Sequence, residues 1–264
     1  MIPIRSPEEI DRIAEAGRVV ARVLDALLDA CRSGATTLEL DGLARTLIAD
    51  AGATALFPGF SQRNAAPYPA AICACVNDQV THAVPTDRPL QPGDLVTLDT
   101  GVSVAGWCAD ASRVRIVAPD RRPASPHDAP QNSTASRIAA AARAATEAAI
   151  AAMAPGTRWS DAADACRAVA EAAGFRVAPI YAGHGIGRAL HEPPRLPFYP
   201  GPRDDFVLRP GMVVTVEPIL LERDVAMTVG PDAWTVTAAD GVLACQVEQT
   251  VAVTRDGPRV LTVF

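Results

Sequence analysis

The feature that most constrains the fold of this chain is an internal repeat. Residues 34–52 (GATTLELDGLARTLIADAG) align without gaps to residues 156–174 (GTRWSDAADACRAVAEAAG), and each stretch reads as a loop and a helix between two glycines. Residues 90–99 (LQPGDLVTLD) align in the same way to residues 208–217 (LRPGMVVTVE). The two offsets, 122 and 118 positions, are close enough to indicate one duplicated unit. We therefore expect two α/β halves related by a pseudo-two-fold axis.

An acidic pair lies in the hairpin predicted for residues 95–113, whose two β-rich arms flank a turn. With a two-residue loop at residues 104–105, Asp99 lies directly opposite Asp110, and a bulge after the loop would shift this pairing by one. Opposed like charges repel, and bare carboxylates in apolar surroundings are costly. Protonation, a basic side chain or a cation between them would relieve the repulsion. The repeat makes Glu217 the equivalent of Asp99, facing it from the other half.

Further helices and strands follow from capping and periodicity. Ser6 and Glu9 form a capping box around Pro7, which predicts a helix that continues to Gly34. The same signals predict further helices at about 37–50, 135–153 and 160–173. They also predict a strand at 72–76, followed by a loop through 78–82. We expect a single catalytic domain, residues 1–264, with halves at about 1–118 and 136–264 joined by a Pro-, Asp- and Ser-rich loop at 119–135.

Composition excludes several classes of protein. A net charge of −6 argues against nucleic-acid binding, which needs a basic patch. The most apolar long run, residues 139–153, contains Arg143 and Glu147 and does not predict a membrane span. The acidic N-terminus lacks the apolar region of a signal peptide, and the six cysteines are scattered, so we expect a reduced, cytoplasmic protein.

Taken singly, the remaining candidate residues are weak signals. His184 lies in the glycine-rich YAGHGIG, where backbone and ligand can approach closely, and His191 begins HEPP. Glu248 lies on a β-branched strand, where a glutamate usually faces solvent. His127 falls in the predicted loop, where we expect it to be solvated.

Together, these residues resemble a known family. The ordered set Asp99, Asp110, His184, Glu217 and Glu248, with the words GHGIG, HEP and VEP, resembles the methionine aminopeptidases over essentially the whole chain. The resemblance implies an α+β pita-bread (creatinase/aminopeptidase) fold, with curved antiparallel sheets covered by helices, which X-Pro aminopeptidases and prolidases share. The short interval between the last two acids leaves no room for the inserted subdomain of type II enzymes, so the chain looks like the minimal bacterial form of type I.

The resemblance also implies a dinuclear metal site. Two divalent ions (Co, Mn, Fe or Zn) would be bridged by Asp110 and Glu248, with Asp99 bidentate on one ion and His184 and Glu217 on the other. Oxygen and nitrogen ligands suit these ions, and two ions would relieve the repulsion between the aspartates. By resemblance, the ions share a bridging water or hydroxide, and Glu217 is the general base.

Substrate contacts are implied in the same way. His82 would hydrogen-bond the leaving amide, and His191 would contact the scissile carbonyl. Tyr68, Cys73 and Trp234 fall on positions that line the methionine pocket, although ordinary core packing is the alternative interpretation of these three.

Several positions depart from the family pattern. Leu190 stands where a Phe is common, and Ala65 stands where a second Tyr is often found. His82 is followed by Ala83 rather than Gly, and Glu248 by Gln249 rather than His. These changes predict looser selection for methionine with unchanged chemistry.

The predicted function is removal of the N-terminal methionine from nascent proteins with a small second residue. We expect a monomer that acts on peptide N-termini, with transient ribosome contact and without nucleic-acid or membrane partners. One alternative is an X-Pro aminopeptidase or dipeptidase of the same fold, which usually carries an additional N-terminal domain that we do not expect here. Another is a non-catalytic pita-bread binding protein, a class that typically loses metal ligands.

Overall fold

Helices alternate with short strands along the chain. The computed structural model describes residues 1–62, 65–118, 133–179, 181–199 and 205–263. Most of the loop predicted at 119–135, including His127, lies outside the described residues. In the first half the elements are α1 (Pro7–Ala30), α2 (Thr37–Asp50), β1 (Thr54–Ala55), β2 (Cys73–Val76), β3 (Gln79–Thr81), β4 (Leu95–Val104) and β5 (Trp107–Ile116). In the second they are α3 (Thr134–Ala151), α4 (Trp159–Ala172), β6 (Arg176–Val177), β7 (Ala182–Gly185), β8 (Glu192–Pro197), β9 (Val213–Val216), β10 (Ile219–Leu221), β11 (Met227–Val229), β12 (Val236–Ala238), β13 (Ala244–Gln246), β14 (Gln249–Thr254) and β15 (Gly257–Val260).

Local capping sets the ends of the first helices. The predicted Ser6–Glu9 capping box starts α1, and α2 has the predicted bounds because a second capping box, Thr36 with Glu39, starts it. The prediction that α1 continues to Gly34 is wrong, because the helix ends at Ala30. Gly34 instead takes a φ of +80° in the connection that follows. Its N–H donates to the carbonyl of Leu90, the first residue of the repeated strand motif.

The internal repeat is reproduced in the backbone hydrogen bonds. The N–H of Gly34 donates to the carbonyl of Leu90, and the N–H of Gly156 donates to the carbonyl of Leu208, each over 2.9 Å. The return bonds from the two leucine N–H groups, to Ala35 and Thr157, are also equal at 2.8 Å. The two sequence alignments therefore describe one structural unit that occurs in each half. In this unit the loop that precedes a helix is hydrogen-bonded to the segment that precedes a strand.

Two of the four sheets among the described residues carry the helices. β4 pairs with β5 along one edge and with β1 and β2 along the other, and α1 and α2 pack on this sheet. In the second half, a five-stranded sheet has the order β15-β14-β9-β7-β8, and α3 and α4 bury their alanine-rich faces against it. The strand pairs among the described residues are antiparallel, as predicted for this α+β fold.

Long-range pairings join the halves where the candidate site residues lie. Residues 79–81, predicted as loop, form β3 because they pair with β12 of the other half, with Thr81 opposite Val236. A second bridge joins Ser112 on β5 to Glu248, with reciprocal N–H to carbonyl bonds of 3.3 and 3.2 Å. Both pairings span more than a hundred residues, so local sequence patterns do not predict them.

None of the helices among the described residues combines the length and apolar composition needed to cross a membrane.

Two glycines within helices predict opposite effects of an added methyl group. At Gly17 on α1, a Cβ would lie 2.8 Å from the carbonyl carbon of Leu261, whereas at Gly42 on α2 nothing lies within 4 Å. We expect Gly17→Ala to lower the free energy of unfolding by about 1–3 kcal/mol through overpacking. Gly42→Ala should raise it by about 0.4–1 kcal/mol because alanine restricts the unfolded chain. Urea unfolding measures both, and a Gly17→Ala variant as stable as wild type would contradict the packing described.

Candidate metal centre and substrate pocket

The turn of the acidic hairpin lies one residue later than predicted. Val104 is the last residue of β4, and the two turn residues are Ala105 (φ 49°) and Gly106 (φ 77°). Two positive φ angles are typical of the type I′ turns that connect twisted strands, and glycine adopts the second without strain. The predicted loop at residues 104–105 would have placed β-branched Val104 in this unfavourable region, so the predicted direct pairing of Asp99 with Asp110 is wrong.

The shifted register makes the two aspartates diagonal neighbours. Asp99 pairs with Ser112, and Asp110 pairs with Gly101. Positions two residues apart on a strand point to the same face, so both carboxylates still face the same side of the sheet. The glycine leaves space for the acid opposite it, because a Cβ on Gly101 would lie 3.2 Å from Asp110 Oδ1 and 3.1 Å from the ring of Phe57.

The second half brings three more candidate ligands to this face. His184 lies on β7, Glu217 directly follows β9, and Glu248 directly precedes β14. Ligand atoms of Asp110, His184 and Glu248 lie within 4.8 Å of one another. His184 Nε2 lies 3.5 Å from Glu217 Oε1. The five residues predicted as ligands therefore converge from both halves of the chain.

A hydrogen bond at one ring nitrogen of His184 leaves the other ring nitrogen available to coordinate a metal ion. His184 Nδ1 lies 3.0 Å from the carbonyl oxygen of Gly185, which can only accept, so Nδ1 carries the proton. Nε2 is then the lone-pair nitrogen and faces the acids, an arrangement typical of metal-ligating histidines. Burial lowers the pKa of His184 to about 3, and this keeps the ring neutral at pH 7.

Thr215 holds the backbone of His184 and the side chain of Glu217, and the sequence analysis did not identify it. Its hydroxyl accepts from the N–H of His184 over 2.9 Å and donates to Glu217 Oε1 over 2.6 Å. The residue is fully buried. A signal was present, since Thr215 occupies the threonine position of the repeated motif two residues before the acid, equivalent to Thr97 in the first half.

The four acids perturb one another strongly. Burial, followed by the charges of neighbouring acids, raises the pKa of Asp99 and of Glu248 well above the ordinary values. Burial raises the pKa of Asp110 to about 7. It raises that of Glu217 to about 8, against the opposing effect of the Thr215 hydrogen bond. Four buried carboxylates without cations can therefore remain together near pH 7 only by retaining protons.

Unpartnered oxygens show that the donor set fits a cation. Among the described side chains, Asp99 Oδ1 and Asp110 Oδ1 are buried without a hydrogen-bond partner. Buried acceptors without partners are costly, and divalent cations satisfy them. Carboxylate oxygens with one neutral imidazole are ligands that Mn²⁺, Fe²⁺, Co²⁺ and Zn²⁺ accept. The residues present thus fit the divalent ions predicted from the sequence.

A cavity of about 550 Å³ leads to this cluster. Its lining includes all ten predicted site residues, namely Tyr68, Cys73, His82, Asp99, Asp110, His184, His191, Glu217, Trp234 and Glu248. The acids and His184 form one wall, and apolar side chains form another. A cavity with a few convergent polar groups and perturbed pKa values is the expected form of an active site.

The comparisons with known proteins decide the family. Residues 11–255 match the family model described as "Metallopeptidase family M24". The chain belongs to metallopeptidase family M24. A relative from Mycobacterium tuberculosis, named methionine aminopeptidase 1, is 40% identical over 269 residues, which cover 99% of this chain and 95% of the relative. This confirms the resemblance to the methionine aminopeptidases.

Solved structures confirm the pita-bread fold of this M24 chain. A methionine aminopeptidase from Thermotoga maritima superposes with a TM-score of 0.89 at 30% identity, covering 100% of both chains. A prolidase from Pyrococcus furiosus superposes with a TM-score of 0.74 at 23% identity, covering 99% of this chain and 65% of the prolidase. The second match, at this low identity, bears on the fold alone.

Among the described residues, His82 and His191 line the same cavity as the candidate metal ligands of this M24 chain. The His191 ring packs 4.2 Å from that of His184, and the His82 ring packs 5.3 Å from that of Tyr181. His82 has a φ of 56°, a backbone conformation that non-glycine residues rarely adopt and that the surrounding structure must hold in place. Burial lowers the pKa of His82 to about 4 and lowers that of His191. Both rings are therefore neutral near pH 7 and can donate and accept hydrogen bonds.

The three predicted pocket residues form an apolar cluster at the cavity wall. Tyr68, Cys73 and Trp234 are each at most 5% exposed and pack with Phe57. The rings of Tyr68 and Trp234 meet edge to face at 5.1 Å. Trp234 Nε1 donates to the carbonyl of Ala66 over 2.9 Å. The cluster is thus both packed core and cavity lining, and the two interpretations of these residues do not conflict.

An aromatic residue missed in the sequence analysis also lines this pocket. The ring of Phe60 meets those of His191 and Trp234 edge to face, with 5.1 and 6.4 Å between ring centres. Its carbonyl accepts from the N–H of Tyr68 over 2.8 Å, which holds it beside the pocket wall. Ala65 and Leu190, the two smaller residues noted above, contact the same cluster as Trp234. Phe60 therefore adds aromatic surface beside this cluster.

The metal-free protein is predicted to lose stability between about pH 6.5, above which the histidines no longer oppose the acids, and about pH 8. Asp110 and Glu217 have pKa values raised to about 7 and about 8, so the stability linked to their protons is fully present below the ordinary values near 4. That stability is lost progressively as the pH rises from the ordinary values to the raised ones. The lowered histidine pKa values act oppositely, but only below the ordinary value of 6.5.

Thermal unfolding in the presence of a chelator tests this expectation. The Tm of the metal-free protein should fall as the pH is raised through this window, and saturating Mn²⁺ should abolish the fall because the cation replaces the protons. A metal-free Tm that rises over the same window would contradict the electrostatics described here.

Proposed function

We propose that this chain is a metal-dependent aminopeptidase that removes the N-terminal methionine of peptides whose second residue is small. The observation that carries the proposal is the convergence of four buried acids and one neutral histidine on a single cavity with an apolar wall. Full-length relatives named methionine aminopeptidase, at up to 40% identity among those compared, support the same activity.

The metal-binding side chains in this proposal are Asp99, Asp110, His184, Glu217 and Glu248, and together they would hold two divalent ions. Four carboxylates carry enough negative charge to balance two such ions, and the unpartnered oxygens of the two aspartates favour coordination. A divalent ion bound here would supply Lewis-acid polarisation of the substrate and lower the pKa of a bound water toward neutrality. Co, Mn, Fe and Zn all accept this donor set.

Glu217 is the proposed general base. Its side chain is buried at the cavity, and the Thr215 hydroxyl fixes Oε1 by a 2.6 Å hydrogen bond. Gln246 Nε2 lies 3.5 Å from Oε2, so both oxygens are held in one orientation. The carboxylate would accept a proton from the attacking water and return it to the leaving amine.

His82 and His191 are the proposed substrate-contacting residues. Because both rings are neutral near pH 7, each has one N–H donor and one acceptor nitrogen. His191 would donate to the scissile carbonyl oxygen as negative charge develops on it, and His82 would hydrogen-bond the leaving amide. Neither residue needs to be charged for these roles, which agrees with the lowered pKa values.

The apolar wall would select the first residue of the substrate. Tyr68, Cys73 and Trp234 offer an aromatic and sulfur-containing surface, which suits the flexible thioether of methionine. Phe60 extends this surface. We expect selection for methionine with tolerance for other unbranched apolar side chains, because Leu190 and Ala65 leave room beside the cluster.

Two alternatives remain for the same fold. An X-Pro aminopeptidase or dipeptidase is less favoured, because the prolidase from Pyrococcus furiosus is 23% identical, whereas the methionine aminopeptidases from Thermotoga maritima and Mycobacterium tuberculosis are 30% and 40% identical. A non-catalytic binding protein is less favoured because all five ligand residues are retained. In the cell, we propose a cytoplasmic monomer that acts on nascent chains in transient contact with the ribosome.

Hydrolysis by the Mn²⁺-, Fe²⁺- and Co²⁺-loaded enzyme of Met-Ala-Ser and of X-Pro peptides tests the proposal. Wild type should cleave Met-Ala-Ser, and Glu217→Gln should reduce kcat by about 10²–10⁴-fold through loss of the base. The control is Glu171→Gln on an exposed face of α4, which should match wild type.

Metal analysis of the same preparations completes this test. Unchanged turnover in Glu217→Gln with metal still bound would exclude the proposed base. Cleavage of X-Pro peptides alone would favour the first alternative, and absence of both metal and activity would favour the second.

A further inference from the structure

A partly buried ion pair joins the N-terminal segment to the residue that follows His191. Arg5 Nη2 pairs with Glu192 Oε2, and the two side chains are 13% and 12% exposed. The segment itself is fixed, since the N–H of Arg5 donates to the carbonyl of Gly211 over 2.7 Å. Breaking such a pair from one side is costly because it leaves a largely desolvated charge uncompensated. The pair is therefore a tether between sequence positions that are 187 residues apart.

The second oxygen of Glu192 closes the loop that carries His191. Oε1 accepts from the N–H of Arg188 over 2.7 Å and from the N–H of Ala189 over 3.1 Å. One carboxylate thus ties the start of the loop to its end, while its other oxygen is held by Arg5. The orientation of the carboxylate, and with it the loop, depends on both sets of bonds.

The same guanidinium packs flat against the loop backbone. A Cβ on Gly187 would lie 2.5 Å from Arg5 Nη2 and 2.9 Å from Nε, so the glycine is needed for the arginine to fit. The final glycine of GHGIG therefore makes room for Arg5, and the predicted close approach at this position is to the protein's own side chain. This contact would be lost if the N-terminal segment moved away.

The tip of the acidic hairpin docks on the other side of this loop. The N–H of Cys108 donates to the carbonyl of Gly187 over 2.7 Å. The Trp107 ring receives two guanidinium groups, with Arg188 Cζ 3.7 Å and Arg5 Cζ 5.5 Å from its centre. Cation–π contacts of this kind add stability when the ring is buried, and Trp107 is 2% exposed. The loop is thus held between the N-terminal segment and the hairpin that carries two of the candidate metal ligands.

We propose that Arg5 is a positioning residue for His191, acting through Glu192 and the loop backbone. The proposal rests on the substrate-contacting role proposed above for His191. The His191 ring itself packs on His184 and on partly exposed Phe60, so its position follows the backbone that carries it. Displacement of this loop by a fraction of an ångström would weaken the contact to the scissile carbonyl while leaving the five candidate metal ligands in place.

Variants that separate charge, shape and loop contact test the proposal. Arg5→Met removes the charge with similar volume, and Arg5→Lys retains the charge without the planar fork. The double variant Arg5→Met/Glu192→Gln removes both charges, so it leaves no unpaired buried ion if Arg5→Met alone fails to fold. Arg18→Met, on an exposed face of α1, is the matched control.

The first measurement is histidine NMR, which does not depend on activity. The chain has four histidines, so His→Ala variants assign the ring resonances of the labelled protein. In Arg5→Met we expect the His191 resonances to shift and broaden while those of His82 stay in place, with a smaller change in Arg5→Lys. Arg18→Met should change neither. Unchanged His191 resonances in folded Arg5→Met would overturn the proposal.

The second measurement is kcat and KM for Met-Ala-Ser with metal content determined. We expect Arg5→Met to lower kcat about tenfold with little change in KM or bound metal, and Arg5→Lys to restore part of the loss. Introduced into His191→Ala, Arg5→Met should cause no further loss. A tenfold further loss in that background would overturn positioning through His191. Wild-type activity of His191→Ala alone would instead contradict the role proposed for His191, and the NMR result would still decide the tether.

Discussion

The structure depends on the mutual repulsion of four buried carboxylates. Asp99, Asp110, Glu217 and Glu248 share one face, and burial together with neighbouring charge raises the pKa of Asp99 and Glu248 far above ordinary values. His184 does not neutralise them, because its own pKa is lowered to about 3. Protons or cations must therefore balance the cluster, and the unpartnered aspartate oxygens favour cations. The fold holds these acids together at a cost that the proposed metal binding would offset.

The duplicated unit explains where the cluster lies, and departures from symmetry explain what it can do. Asp99 and Glu217 end the same motif in the two halves and line the same cavity. A threonine lies two residues before the acid in each half, but the two threonines make different contacts. Thr215 orients Glu217 and the His184 backbone, whereas Thr97 accepts a 3.5 Å bond from the Gln246 N–H. Glu217 is thus the oriented acid proposed as the base, whereas Asp99 has an unpartnered oxygen suited to coordination.

Local sequence signals predicted the helix bounds well where a capping side chain or a glycine fixes the end of a helix. The Ser6–Glu9 capping box gave the start of α1, and flanking glycines gave the bounds of α2. The repeat indicated that Asp99 and Glu217 are equivalent acids, and both line the cavity. Steric preference moved the hairpin turn to Ala105 and Gly106, which the strand pattern alone did not reveal. Moving the turn by one residue shifts the strand pairing by two positions, so both aspartates stay on the same face of the sheet. The candidate cluster is therefore the same although the predicted pairing was wrong.

Features built from distant segments could not be predicted in this way. β3 exists through pairing with β12, and the contacts of Phe60 and of the Arg5–Glu192 pair join residues that no local pattern connects. Family resemblance supplied residue roles at matching motif positions, but it gave no information on residues outside those positions. Phe60 is such a residue, and its ring adds aromatic surface beside His191 and Trp234.

The central claim is that cations replace protons on a preformed cluster of acids. Calorimetric titration of the metal-free protein with Mn²⁺ at pH 7, repeated in buffers of different ionisation enthalpy, measures both the ions bound and the protons released. Two ions per chain, with at least one proton released, is the predicted result, because the raised carboxyl pKa values leave protons to be displaced. Binding without proton release, or no binding by the folded protein, would contradict this account.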